Sequence, residues 1–196
     1  MFAISGEARA ASSMTWRRPS EGLLLTTKGK KEGSGGKMAN FFVAIAHGKG
    51  VVLCKHHEWK ITGENFGLNI VEGEFPKVFE TCGSLPGKRT FLQDGCPRQN
   101  AKAASKIWKK MGYECFNIPP RSPDLNPIEN LFHLVREKLK TSARESDIHR
   151  ESYEDFVKRV EDIITGMPVE TIDNLISSMP NRLKEVRKHK GNRTRY

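Results

Sequence analysis

The spacing of apolar residues changes several times along the chain, and each change predicts a different element. Two runs rich in β-branched and aromatic residues, Asn40–Ala46 and Val51–Lys55, are separated by a short glycine-containing stretch, which predicts a β-hairpin. From Thr62 to Phe79 the apolar residues recur at helical spacing, with Pro76 as a disturbance, so this segment predicts one interrupted helix or two short ones.

The middle of the chain alternates between strand and helix patterns. Arg89–Gln93 predicts a short buried strand, and a helical pattern follows from Arg98 to Met111. Tyr113–Ile118 predicts a second strand, and a helix begins at Pro127 and continues to Lys140. Strand, helix, strand and helix in this order are typical of a parallel crossover unit, which is right-handed in nearly all proteins.

The C-terminal third predicts helices with one apolar side. In the helix from Pro127 this side consists of Ile128, Leu131, Phe132, Val135 and Leu139. A second amphipathic helix has Tyr153, Phe156, Val157, Val160, Ile163 and Ile164 on its apolar side. A third begins at Pro168 with Ile172, Leu175 and Ile176 inward, and Pro180 breaks or restarts it. The predicted fold class is therefore α/β, with extra helices at the C-terminal end.

Composition narrows the function. The chain has 196 residues, enough for one domain of moderate size, and its formal net charge of +10 indicates a polyanionic partner or an anionic surface. No apolar run is long enough to span a bilayer, so we expect a soluble, non-secreted protein. The four cysteines form no CxxC pair, which favours free thiols over a zinc ribbon or a disulfide scaffold.

Basic residues are concentrated in three segments. Lys28–Lys37, which reads KGKKEGSGGK, predicts a solvated loop or a phosphate contact, and residues 1–38 are expected to form a flexible basic segment with one short strand at Gly22–Thr27. The lysines of the crossover helix indicate a solvated face or a DNA-backbone patch, and Arg182–Tyr196 has seven basic residues against one acidic residue. Residues 39–196 are expected to form the folded domain.

Two carboxylates stand out by position. Asp94 follows the predicted strand directly, at the edge where open α/β sheets place functional side chains, although a turn or helix-cap role also fits. Glu129 lies in the first turn of the Pro127 helix, where Asn126 and Glu129 also resemble a capping box. Because the crossover returns the chain to the same edge, both carboxylates should converge there, and they predict a site for Mg²⁺ or Mn²⁺.

The sequence around these carboxylates resembles a known family. FLQDGCPRQNAKAASKIWKKMGYE, then FNIPPRSPDLNPIENLFHLVREKL, and the later SMPNRL and GNRTRY are similar to the catalytic region of Tc/mariner superfamily DNA transposases, over about residues 39 to 196. The resemblance implies a ribonuclease H-like mixed sheet with flanking helices and an Asp-Asp-Glu metal triad. It makes Asp94 the second acidic residue of the triad and Glu129 the third. Gln99 and Phe132 depart from the family, which often has His and Trp at these positions.

The first aspartate of that triad has no counterpart, because Met1–Gln93 contains no aspartate, and the helix-turn-helix modules of the family are also missing. We therefore expect a partial catalytic domain without its first strand, in which Glu7 and Glu21 are poor substitutes. The resemblance implies Mg²⁺ (or Mn²⁺)-dependent DNA cleavage and strand transfer, DNA as partner, a homodimer as one option, and a location in the nucleus or otherwise the cytoplasm. The residues expected to contact DNA are Lys28, Lys30, Lys31, Lys37, Lys102, Lys106, Arg182, Lys188, Lys190 and Arg193.

Two alternatives to an impaired transposase fragment stay open. One is a non-catalytic DNA-binding or interaction protein derived from a transposase, whose affinity would come from counterion release rather than metal chemistry. The other is a chain that does not fold stably, because omission of the first strand leaves an unpaired edge in the middle of the sheet.

Overall fold

A computed structural model of the chain describes residues 39–94, 96–119, 122–145, 151–190 and 194. Its strands are β1 (Asn40–Ala46), β2 (Gly50–His57), β3 (Arg89–Gln93) and β4 (Tyr113–Asn117). Its α-helices are α1 (Gly63–Phe66), α2 (Phe75–Thr81), α3 (Lys102–Lys110), α4 (Pro127–Glu145), α5 (Tyr153–Thr165), α6 (Val169–Ser177) and α7 (Met179–Lys188). A π-helical segment, Gly67–Glu72, continues α1, and a 3₁₀ turn, Pro123–Leu125, precedes α4.

The predicted hairpin and crossover unit are both confirmed. β1 pairs with β2 antiparallel, and a register shift lies between Ala44 and Ile45. The turn between the two strands contains Gly48 and Gly50 with φ of +70° and +75°, a conformation that favours glycine. β3 pairs with β4 in parallel through α3, and Gly112, at φ +70°, ends that helix as the sequence predicts.

Strand β1 lies between two apolar cores, so the domain has helices on both sides of its strands. Phe41 and Val43 point into one core, built with α4, α5 and α6. Phe42 points into the other, which contains the π-helical segment, α2, α3 and Tyr113 of β4. This alternation explains why β1 is apolar at successive positions, since a strand covered on both faces has no solvent side.

The two strand pairs are separate sheets among the described residues. A groove of about 440 Å³ lies between them and is lined by residues of β1 and β3, including Val43, Ile45 and Phe91, and by Ile128 of α4. Within the described ranges, no helix is long and apolar enough to cross a membrane.

The limits of two helices differ from the sequence prediction, and at Pro180 the structure decides between the two predicted outcomes. The crossover helix begins at Lys102 rather than Arg98, because residues 97–101 form a turn instead. Helix α4 continues to Glu145, five residues beyond the predicted end, and none of these five residues is buried. Pro180 restarts a helix, as the second residue of α7. The predicted segments 1–38 and Arg193 lie outside the described residues.

Candidate metal and DNA site

Asp94 lies where β3 ends, as predicted. Its side-chain Oδ1 accepts a hydrogen bond from the backbone N–H of Cys96 at 3.2 Å, so the carboxylate also shapes the turn that follows the strand. The turn role and the site role, which the sequence presented as alternatives, are therefore compatible at this residue. Asp94 is half-buried at the sheet edge, so the residue is partly accessible to solvent.

A network of side-chain amides fixes the backbone of this turn. Asn100 donates through Nδ2 to the carbonyl oxygens of Asp94 at 2.9 Å and Cys96 at 3.1 Å. Its Oδ1 then accepts from Nε2 of Gln93 at 2.9 Å, and that Nε2 also lies 3.4 Å from Oδ1 of Asn117 at the end of β4. Gln93 is 1 % exposed, so this network lies directly beneath the rim that carries Asp94.

Glu129 lies in the first turn of α4, again as predicted. Its backbone N–H donates to the carbonyl oxygen of Asn126 at 3.1 Å, and Pro127 is the first helical residue. Burial raises the pKa of the Glu129 carboxyl above its ordinary value, the positive charge of Arg136 opposes this, and the negative charge of Asp94 raises the pKa further.

Strands β3 and β4 pair in parallel from Arg89 with Tyr113 to Gln93 with Asn117, so both strands end at the same edge of the sheet. Asp94 follows the first of these strands directly, and the segment after the second leads into α4, which carries Glu129. Asp94 and Glu129 could supply two of the oxygen ligands of a divalent cation such as Mg²⁺. In proteins this ion keeps several waters as ligands and takes one or two carboxylates. Within the described ranges no group of three or more His, Cys, Asp or Glu side chains is placed to hold a metal ion.

The lysines expected on the crossover helix lie at the surface. Lys102 and Lys106 are exposed on α3, as are Lys109 and Lys110. Trp108 of the same helix is 6 % exposed and packs in the core with Phe91, so it is not part of that surface. At the C-terminal end, Lys188 and Lys190 are exposed, whereas Lys28, Lys30, Lys31, Lys37 and Arg193 lie outside the described residues.

Arg182 has a different environment from the one expected for a residue that contacts DNA. It is 2 % exposed, and its guanidinium donates to the Asp124 carbonyl oxygen and to Oδ1 of Asn130, both at 2.8 Å. In this arrangement Arg182 joins α7 to the 3₁₀ turn and to α4, and its guanidinium is not exposed at the surface. The sequence carried a signal of this role, since Arg182 continues the apolar spacing of Ile172, Leu175, Ile176 and Met179.

Both departures from the family pattern are buried residues. Phe132 is 2 % exposed within the core on the α4 side, so it keeps the packing role predicted for it. Gln99 is 4 % exposed in the turn before α3. An amide at this position has no titratable nitrogen, so a contact that depends on histidine is not available here.

Comparison with known proteins finds matches to the part of the chain that contains Asp94 and Glu129. The family model described as DDE superfamily endonuclease matches residues 25–150. The Tcb2 transposase of a Caenorhabditis briggsae transposable element is 29% identical over 106 residues, 54% of this chain and 37% of the relative. The Tc1 transposase of Caenorhabditis elegans is 27% identical over the same shares. The chain thus spans little more than a third of the length of these curated relatives.

Solved structures show the same fold. The Mos1 mariner paired-end complex with Mn has a TM-score of 0.69 at 17% identity, over 92% of this chain and 51% of that chain. The catalytic domain of Mos1 mariner transposase has a TM-score of 0.66 at 18% identity, over 81% of this chain and 76% of that chain. The ribonuclease H-like, mixed α/β fold expected from the sequence is confirmed.

Proposed function

Because the chain belongs to the DDE superfamily endonuclease family, we propose that Asp94 and Glu129 bind a divalent cation, Mg²⁺ or Mn²⁺, against the phosphate backbone of DNA. The observation that carries this proposal is the parallel pairing of β3 with β4, because it brings Asp94, which follows β3, and the segment that leads from β4 into α4 to the same edge of the sheet. The negative charge of Asp94 is also among the causes that raise the pKa of Glu129. Like charges held near each other on separate elements cost stability, and a cation between them removes that cost.

The proposed parent activity is the cleavage and transfer of DNA strands by a cut-and-paste transposase. A bound Mg²⁺ or Mn²⁺ would supply an activated water and would stabilise the leaving oxygen of a phosphodiester. The residues of the chain contribute position: Asp94 at the end of β3 and Glu129 at the start of α4 fix where a cation can lie, and the exposed lysines of α3 bind phosphates nearby.

We expect this chain to be a weak nuclease. With Asp94 and Glu129 as the second and third acidic residues of an Asp-Asp-Glu triad, the first aspartate has no counterpart, because no aspartate precedes Asp94 in the sequence. A two-metal reaction requires both ions to be held in place, so the loss of one carboxylate should cost most of the rate.

Nicking of supercoiled plasmid or transposon-end DNA in Mg²⁺ and in Mn²⁺ tests this proposal. We expect slow or no nicking by the chain. In a separate Mn²⁺ titration we expect binding of the ion that is lost or weakened when Glu129 is replaced. Robust cleavage that Asp94→Ala abolishes would overturn the proposed impairment. Absence of any Mn²⁺ binding that depends on Glu129 would overturn the metal site itself.

A second function, DNA binding without catalysis, is favoured by the exposed lysine side of α3. Salt-sensitive binding without sequence preference should survive Asp94→Ala and Glu129→Ala, because release of counterions drives it. The double variant Lys102→Gln/Lys106→Gln should lower the slope of log affinity against log salt by roughly one for each phosphate that a lysine no longer neutralises. Glu64→Gln on α1 is the control, since it removes an exposed charge of the opposite sign and should not lower that slope. Loss of binding in the two alanine variants would argue against this function.

Location and assembly belong to the same proposal. A protein that acts on genomic DNA works in the nucleus of a eukaryotic cell, and paired transposon ends suit a homodimer. Fluorescence imaging of the tagged chain and its mass in solution by light scattering test these two points. A cytoplasmic signal or a monomer mass, respectively, would contradict them.

A further inference from the structure

Arg182 of α7 is a buried cation, and two of its hydrogen bonds go to the segment that carries Glu129. Its Nη1 donates to the carbonyl oxygen of Asp124 and its Nη2 to Oδ1 of Asn130, both at 2.8 Å, while Nε donates to Oγ of Ser178 at 2.7 Å. A buried charge is costly unless its donors are satisfied, and the guanidinium fork meets acceptors on three sides.

The two distant acceptors lie on either side of Glu129. Asp124 belongs to the 3₁₀ turn that precedes α4, and Asn130 is the residue after Glu129 in the first turn of the helix. A planar guanidinium that bonds both at once fixes the turn relative to the helix. Arg182 thereby joins the 3₁₀ turn to the first turn of α4.

Thr194 provides a second tether from the same part of the chain. Its hydroxyl donates to Oδ2 of Asp124 at 3.0 Å, and the residue is 9 % exposed. The backbone and the side chain of Asp124 are therefore held separately, one by Arg182 and the other by Thr194. Helix α7 itself packs against the 3₁₀ turn, so these bonds join surfaces that are already in contact.

We propose that Arg182 is a positioning residue for Glu129, and that the C-terminal helices hold this carboxylate at the distance from Asp94 that a cation requires. The predicted effect of Arg182 on metal affinity rests on the metal site proposed above. Its predicted effect on the turn before α4 rests on the hydrogen bonds alone. Mutation of a residue that orients a metal ligand commonly lowers the affinity for the metal by about 10–100-fold.

The test uses the full chain and two variants of α7. Arg182→Met removes the donors and keeps an unbranched side chain, while Arg187→Met makes the same change at an exposed position of the same helix. Mn²⁺ titration followed by electron paramagnetic resonance should show affinity lowered by roughly 10-fold or more in Arg182→Met and by less than about twofold in Arg187→Met. Equal Mn²⁺ affinities in the two variants would overturn the proposal.

Amide hydrogen exchange supplies a readout that needs no metal. The N–H groups of Leu125, Asn126 and Glu129 bond to carbonyl oxygens within the turn and the start of α4. Their exchange should accelerate about tenfold in Arg182→Met while the amides of the β1–β2 hairpin keep the rates of the native chain. If the native chain binds no Mn²⁺, the proposed function fails, and the exchange rates of Arg182→Met and the native chain alone decide whether Arg182 positions the turn. Unchanged exchange at the turn would overturn the positioning role.

Two milder variants keep the proposal testable if Arg182→Met does not fold. Arg182→Lys keeps the charge but cannot bond both acceptors as a fork, and Thr194→Val removes one hydroxyl at nearly constant shape. Both should accelerate exchange at the turn, Thr194→Val by about two- to threefold, since one tether of Asp124 remains. Native exchange rates in both variants would overturn the proposal.

Discussion

The two carboxylates of the site are held in place by different kinds of structure. The backbone around Asp94 is fixed by amides of its own crossover unit, in which Gln93, Asn100 and Asn117 lie within twenty-four residues of one another. The segment around Glu129 is fixed by Arg182, which lies fifty-eight residues beyond Asp124 and fifty-two beyond Asn130. The Asp94 side is thus locally determined, whereas the Glu129 side requires the C-terminal helices to be folded.

This difference separates two ways of damaging the site. Loosening α6 or α7 should move Glu129 while leaving the turn at Asp94 intact, because the amide network makes no use of those helices. Changes in the crossover unit should act on Asp94 in the same selective way. The proposed metal site would then lose one of its two carboxylate ligands when either support fails, which should weaken the binding of a cation.

The largest expected effect comes from the core beneath the C-terminal helices. Ile172 of α6 is fully buried against α4 and the hairpin, so Ile172→Ala should lower the free energy of unfolding by about 2–5 kcal/mol in a urea titration. Leu183→Ala on α7 is the control, because Leu183 is 50 % exposed and its truncation should cost no more than about 0.5 kcal/mol. Equal small losses would show that these helices do not support the core.

The same substitution on the two sides should have opposite consequences. Asn100→Asp removes the N–H donors to two carbonyl oxygens and places a negative charge against them, which should cost about 1–3 kcal/mol in stability. Asn130→Asp keeps the acceptor for Arg182 and makes that hydrogen bond charge-assisted, so stability should be unchanged or higher. Urea titrations of both variants at neutral pH measure the difference, and equal losses would contradict the assigned roles.

The orientation of these amides follows from their partners. Asn100 must direct its Nδ2 toward the carbonyl oxygens of Asp94 and Cys96, so its Oδ1 faces Gln93, and Gln93 must then present Nε2. This leaves Oε1 of Gln93 buried without a hydrogen-bond partner among the described residues. The unpaired Oε1 of Gln93 therefore costs stability, and the hydrogen bonds of its Nε2 to Asn100 and Asn117 offset this cost.

Much of the Asp94 side was predictable from sequence because its determinants are local. The alternation of strand and helix patterns, with Gly112 at a helix end, predicts that Asp94 and the turn before Glu129 meet at one edge. The amide network itself was missed, since Gln93 and Asn117 carry no pattern that distinguishes a buried amide from an exposed one. Only the strand register, in which these two residues are partners, brings them together.

The support of Glu129 was not predicted, for a physical reason. Seven basic residues against one acidic residue predict a solvated or phosphate-facing end, and that interpretation was wrong for Arg182, which is buried. Its acceptors are a backbone carbonyl oxygen and a side-chain amide. Every residue has a backbone carbonyl, so the sequence does not indicate which one accepts a hydrogen bond. The continued helical spacing from Ile172 to Arg182 was the one available signal, but an arginine on an apolar side is usually read as exposed.

The smallest expected effect is a pH dependence that links the two carboxylates. Burial and the Asp94 charge raise the pKa of Glu129, so its ionised form lowers the stability of the folded chain. This cost is absent below about pH 4, near the ordinary pKa of a glutamic acid, and grows as pH rises through the higher pKa of the folded state. In EDTA, the melting temperature of Glu129→Gln minus that of the native chain should therefore increase from acid to neutral pH.

Glu137 of α4 provides a control of opposite sign. Its hydrogen bond with Lys140 lowers the pKa of the Glu137 carboxyl, so Glu137→Gln should lose stability, if only slightly at this exposed position, at neutral pH and none in acid. In an Asp94→Asn background the increase measured for Glu129→Gln should become smaller, because one cause of the raised pKa has been removed. An unchanged increase would mean that Glu129 does not sense Asp94, and the two sides of the site would then be electrostatically independent.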